Sequence, residues 1–154
     1  MKVVAISFSE QSEEFINSLR GLEFLDEFYI ASCLENNHVN GQYLKKINAK
    51  ELIQKEWGKV DLFLFVGSIS ATVRLISPLL ISKEEDPGVI VIDKKFSNII
   101  PLIGIHQTIC HEIALKLANL FDGNLVMTNN SKFEKFLDLD AFGRDWGWYR
   151  SGSM

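Results

Sequence analysis

Asp-Leu-Phe-Leu-Phe-Val-Gly-Ser-Ile-Ser at 61 to 70 decides the fold class. Leu62 to Val66 is continuously apolar and β-favouring, the pattern of a strand buried on both faces inside a parallel sheet. Gly67 stops that strand. Ser68 or Ser70 can cap a following helix, and Ala71 to Ile81 supplies its amphipathic body, with Pro78 as a kink or an early terminator. A buried strand feeding directly into a helix is the building unit of an α/β sheet.

Upstream, Val3 to Phe8 is a short β-rich run, and Ser9 can cap a helix whose Phe15, Ile16, Leu19 and Leu22 recur at helical spacing. Glu27 to Cys33 reads as a second strand, and residues 35 to 42, dense in turn formers, as a surface loop. Asn48 with Glu51 resembles a capping box, after which Leu52, Ile53 and Trp57 mark the buried face of a helix ending at Gly58. Downstream, Asp86, Pro87 and Gly88 turn the chain into Val89 to Ile92, and a tight connection over Asp93 to Ser97 makes a hairpin with Asn98 to Ile103. Pro101 fits there only at an edge or a bulge. Thr108 to Phe121 is helical with Ile109, Ile113, Leu117 and Leu120 on one face; Gly123 caps it, and Leu125 to Thr128 is a last short strand. The alternation implies an open, mostly parallel sheet of five or six strands with helices on both faces, a flavodoxin-like three-layer sandwich with Leu62 to Val66 in its interior.

With 154 residues, 47% of them hydrophobic, the chain can bury a core without a disulfide or metal staple. Its 16 basic and 20 acidic side chains give a net charge of −4 and form no run of cations, which argues against nucleic-acid binding through counterion release. Cys33 and Cys110 have no metal-ligand spacing and read as buried thiols in a reducing compartment. Gly67, Arg74 and Pro78 interrupt the most apolar stretch, so no membrane span is expected, and the short apolar start lacks a cleavage site, making the cytoplasm the expected location. Residues 1–132 are expected to form the α/β domain. Residues 133–154, where Lys, Glu and Asp alternate with Phe and Leu before Trp146 and Trp148, read as a tail or linker toward a domain absent from this chain.

In open α/β sheets, ligands sit beyond the carboxyl ends of the strands. That rule nominates Ser7 to Ser9, Gly67 to Ser70, Ile103 to Thr108 and Thr128 to Asn130. The Gly67 turn has no Walker or dinucleotide-binding context and reads either as an anion-binding helix start or as a plain capped turn. His111-Glu112 begins like a zinc-hydrolase motif, but Leu115 stands where its second histidine belongs, so neither metal nor cofactor is expected. His106, beside Gly104, reads either as a proton-transfer group, since imidazole as a residue type exchanges protons near neutrality, or as a structural or surface histidine. Arg74 either reaches toward a carboxylate or lies in solvent.

Residues 61 to 130 resemble the N-terminal domain of the cobalt-precorrin-5A hydrolase family of anaerobic cobalamin synthesis. The family pattern D-L-I-V-F-I-G-A-T-G-I-A-V-R-x-I-A-P-L-L is matched by Asp-Leu-Phe-Leu-Phe-Val-Gly-Ser-Ile-Ser-Ala-Thr-Val-Arg-Leu-Ile-Ser-Pro-Leu-Leu at 61 to 80. Its D-P-A-V-V-V-V-D is matched by Asp-Pro-Gly-Val-Ile-Val-Ile-Asp at 86 to 93. The block with G-H-x-G-G-A-N corresponds to Ile105 to His111: the histidine is His106, while Thr108, Ile109, Cys110 and His111 replace Gly-Gly-Ala-Asn. The match closes near Met127 and Thr128.

The resemblance implies a domain that handles a cobalt-corrinoid intermediate, in a family whose enzyme opens a ring-A δ-lactone with loss of acetaldehyde. It implies His106 as the catalytic residue and Gly67, Ser68, Ser70, Arg74, Gly104 and Thr128 as substrate contacts, with Lys94 and Lys95 as further cations for the substrate's carboxylates. Combined with the strand-end rule, it puts Gly67, Ser68, Ser70, His106 and Thr128 in one cleft at the carboxyl edge. The lost glycines imply retained binding with degenerate catalysis. A fused or associated corrin methyltransferase or second hydrolase domain is the implied partner. The alternative is an unrelated flavodoxin-like module for a nucleotide or flavin, against which Glu10 stands where a phosphate would sit.

Overall fold

The computed structural model describes residues 1–8, 18, 22–30, 38–39, 42–43, 48–104 and 108–128. The strands are β1 (Val3–Ser7), β2 (Glu27–Ile30), β3 (His38–Val39), β4 (Gln42–Tyr43), β5 (Leu62–Val66), β6 (Gly88–Ile92), β7 (Asn98–Ile103) and β8 (Asn124–Leu125). The helices are α1 (Ala49–Glu56), α2 (Ile69–Ile76) and α3 (Thr108–Phe121), with a 3-10 turn at Ser77–Leu79. Six strands form one sheet in the order β2-β1-β5-β6-β7-β8, and β3 pairs with β4 apart from it. Strands β2, β1, β5 and β6 are parallel; β7 runs antiparallel to β6, and β8 follows β7 in parallel.

The apolar run at 62 to 66 is central, and all five of its side chains are fully buried. Alternate residues of each strand feed two cores, as the two-residue side-chain period requires. On one face Leu62, Leu64, Val66, Ile90 and Ile92 pack with Cys110, Ile113, Ala114 and Leu117 of α3. On the other, Phe63, Phe65, Val89 and Val91 pack with Leu52, Ile53 and Trp57 of the α1 segment and Ile76 of α2. Trp57, Phe63 and Phe65 stack in series, with ring centroids 5.7 and 5.8 Å apart.

Several elements differ in detail from the expectation. The α2 helix begins at Ile69 and ends at Ile76, because Ser68 caps it by accepting from the Ala71 N–H (3.2 Å) and Pro78 sits in the 3-10 turn that replaces its last turn. Leu120 is 53% exposed and Phe121 takes its place against the core, since the buried stripe of α3 runs through 110, 113, 114, 117, 118 and 121. The chain leaves α3 through Asp122, whose φ is 49°, before Gly123. Residues 38–39 and 42–43 pair as a two-residue antiparallel ladder, all but Tyr43 within the stretch read as loop. Pro101 stands at a register shift between β6 and β7, past the two residues at which β8 pairs with β7, where no ladder N–H is demanded of it. The helix expected after Ser9, Cys33 and the segment 133–154 lie outside the described residues.

Candidate functional site

The sheet has two edges, and its topology sorts the candidates between them. At the carboxyl edge the parallel strands end in Ser7, Val66 and Ile92. There Phe8 donates its N–H to the Val66 carbonyl (3.1 Å) and Gly67 donates to the Ile92 carbonyl (2.9 Å), so the turn after β5 is laced to both neighbours. Gly67 has a φ of 154°, and a Cβ there would stand 2.7 Å from Cδ2 of Phe8, which in turn stacks on Phe65. Glycine is thus fixed by the close packing of the turn on an aromatic ring. Ser68 and Ser70 follow, exposed, with hydroxyls 3.3 Å apart. The first-turn N–H groups of Ile69 and Ser70 are donors that a helix leaves without internal partners.

The same edge holds the β6–β7 turn. Burial pushes the Asp93 carboxyl upward, but hydrogen bonds from the Asn98 side chain and from the N–H groups of Ser97, Asn98 and Lys95 outweigh it and hold the group below its ordinary value. The bonds from Asn98 Nδ2 and the Ser97 N–H measure 2.7 and 2.8 Å. Asp93 therefore builds the turn, and Lys94 and Lys95 at its tip are exposed.

Gly104 is on the other edge. Because β7 reverses direction, it ends beside the start of β6, and Gly104 has a φ of 77° with its Cα side pressed onto Gly88: a Cβ would stand 2.6 Å from Gly88 Cα. Here only glycine fits, against backbone that cannot give way. The Cys110 thiol, near the start of α3, donates to the Ile103 carbonyl at 3.7 Å, so the first turns of α3 stand at this edge as well. His106 lies outside the described residues; its described flanks, Gly104 and the first turn of α3, belong to the amino edge. Thr128 is exposed and lies past β8, on a run parallel to β7 and therefore leading away from the Gly67 turn. Arg74, exposed near the end of α2, has no ion-pair partner among the described residues. Of the expected site residues, Gly67, Ser68 and Ser70 stand together at the carboxyl edge, Gly104 stands at the amino edge, and His106 lies outside the described residues. β7 is antiparallel to β6, so its carboxyl end stands at the amino edge of the parallel strands, a reversal that the hairpin turn itself signals.

The amino edge is dense in satisfied polar groups. Asp86, 9% exposed, accepts from the Trp57 indole (3.2 Å) and from the Ile81 N–H (3.0 Å). Asp61 accepts from the Lys2 N–H and Asp26 from the Val3 N–H, both at 2.7 Å. The Lys2 ammonium, 2.9 Å from Glu56, holds that carboxyl below its ordinary value through its hydrogen bond and charge, against a smaller opposing effect of burial. A cleft of about 260 Å³ opens here, lined by Leu80, Ile81, Ser82, Lys83, Asp86, Ile103 and Gly104. Pockets for drug-sized ligands run to roughly 300–1,000 Å³, so this one is too small for a macrocycle. Sequence reasoning missed it; the signal was the pairing of Asp86 with a tryptophan 29 residues away, which no local pattern reveals. Among the described residues, no three His, Cys, Asp or Glu side chains cluster as a metal site, and no helix is long and apolar enough to cross a membrane.

Comparison with known proteins agrees with the quoted motifs. A cobalt-precorrin-5A hydrolase from Priestia megaterium is 34% identical over 85 residues, which is 55% of this chain and 23% of that protein. The Salmonella typhimurium cobalt-precorrin-5A hydrolase is 29% identical over 78 residues, 51% of this chain and 22% of that protein. The chain thus spans under a quarter of the length of these curated relatives. The crystal structure of a cobalamin biosynthesis protein G homolog from Sulfolobus solfataricus matches with a TM-score of 0.60 and 25% identity, over 82% of this chain and 36% of that one. The family model described as Cobalamin synthesis G N-terminal matches residues 51–132, more than half of the 154 residues, and the chain belongs to that family.

Proposed function

We propose that this domain binds a cobalt-corrinoid intermediate of cobalamin synthesis at the carboxyl edge of its sheet, with little or no lactone hydrolysis of its own. The observation that carries the reading is the composition of that edge in a member of this family. The donors are the Ile69 and Ser70 N–H groups and the two serine hydroxyls, with Lys94 and Lys95 on the neighbouring strand end. Donors of this kind suit the acetates and propionates at a corrinoid's rim, since anions are favoured at a helix start and beside exposed cations. A corrin ring is too large for the amino-edge cleft, so that cleft is not its seat in this reading.

The non-catalytic half rests on two facts. Lactone opening needs a proton-transfer group and oxyanion donors around one carbonyl carbon. The Gly67 N–H is committed to Ile92, and Thr108 to His111 stand where the family pattern has Gly-Gly-Ala-Asn. Removing a single oxyanion donor costs about 100-fold to 1,000-fold in turnover in comparable sites. In this reading Arg74 contributes to substrate binding, while Gly104 supports the backbone. The test is incubation of the purified chain with cobalt-precorrin-5A, following corrinoid absorbance on a sizing column and acetaldehyde release. Co-elution without acetaldehyde is expected; brisk acetaldehyde release overturns the non-catalytic half, and no co-elution at micromolar ligand overturns binding.

A further inference from the structure

On the solvent side of α2, Ile69 and Val73 are 40% and 43% exposed, although apolar and one helical turn apart. The same helix buries Thr72 and Ile76, so its amphipathic pattern is satisfied without them. Residues four apart on a helix are neighbours, which puts Ile69 beside Val73, and Ser70 beside Arg74 in the adjoining row. The helix face is thus a short apolar strip flanked by a hydroxyl and a guanidinium that has no ion-pair partner among the described residues. It starts at the carboxyl-edge turn, and Lys94 and Lys95 lie at that edge in a chain of net charge −4.

Resting on the binding reading above, we propose that the exposed face of α2 is the floor of the corrinoid site: Ile69 and Val73 contact the apolar rim of the macrocycle, and Arg74 pairs with a peripheral carboxylate. Charge complementarity selects this occupant. A polycarboxylate with methyl groups between its acid arms presents the alternation of apolar and anionic groups that this face answers with apolar and cationic ones. A guanidinium adds direction, because it can donate two parallel hydrogen bonds to one carboxylate.

The experiment is an absorbance titration of the whole chain with cobyrinic acid and with its fully esterified form, for the wild type, Val73→Glu, Ile69→Ser and Arg74→Gln, with sedimentation of each. Val73→Glu is expected to weaken cobyrinic acid binding about tenfold or more, the loss of a buried valine contact being worth at least ~1.4 kcal/mol. Ile69→Ser is expected to weaken both ligands, and Arg74→Gln the acid but not the ester. All three positions are exposed, and unchanged melting curves are expected. No binding by the wild type overturns the binding reading itself. Wild-type binding that Val73→Glu and Ile69→Ser leave unchanged overturns the α2 proposal alone, as does a Val73→Glu variant that dissociates an oligomer while keeping its affinity.

Discussion

At the amino edge of the sheet, polar groups are consumed by the fold: Asp86 holds an indole and a backbone N–H, Asp61 and Asp26 hold the first strand, Lys2 holds Glu56, and Gly104 lies backbone on backbone against Gly88. At the carboxyl edge, Asp93, the Ser68 oxygen and the Phe8 and Gly67 N–H groups are engaged in the fold, while the Ser70 hydroxyl lies near Ser68 on an exposed turn and Lys94 and Lys95 are exposed. The family motifs run through both edges. Both aspartates of Asp-Pro-Gly-Val-Ile-Val-Ile-Asp are structural, one anchoring each end of β6. A motif's most specific residues can therefore mark a fold requirement, and the candidate contacts lie among its less distinctive serines.

Substitutions can break this contrast. Gly104→Val should be the most damaging, by about 3 to 5 kcal/mol, since it adds left-handed strain to an overlap with backbone. Denaturant unfolding would show it, and a near-native midpoint would mean that the amino edge is less constrained than described. Asp86→Ala should cost about 2 to 4 kcal/mol by leaving the Trp57 and Ile81 donors without their acceptor, with a shift in tryptophan emission. At the carboxyl edge the penalties shrink. Gly67→Ala should cost about 1 to 2 kcal/mol, because the Phe8 ring it meets can move, and Ser68→Ala about 1 kcal/mol for a lost helix cap. These two should cost more in corrinoid affinity than in stability.

Acid should act at both edges. Glu56 and Asp93 have folded-state values below the ordinary 4.5 and 3.8, so their contribution is full above those values and is lost as pH falls through the lowered ones. Stability should therefore decline below about pH 4.5. Lys2→Ala and Asn98→Ala should each flatten that decline, and a slope unchanged in both would contradict the assignment.

The central strand and both helical faces were legible because burial on two sides leaves an unbroken apolar run, and a helix start needs a local cap such as Ser68 or Asn48. The ends were harder to read. The stop of α2 depended on where Pro78 fell relative to the last turn, and the α3 stripe on a rotation that put Phe121 inward and Leu120 outward. For the site, the Gly67–Ser70 turn follows from chain-local pattern. The place of Gly104 depends on strand direction, which one hairpin turn inverts, and the role of Asp86 on a contact across 29 residues.

Amide hydrogen exchange of the whole chain with and without cobalt-precorrin-5A tests most directly which edge receives the ligand. Slowed exchange at residues 68–73 and 94–96, with the amides of 81–88 and 103–104 unchanged, is the predicted result. Protection confined to 81–88 and 103–104 would put the ligand at the amino edge and contradict the account.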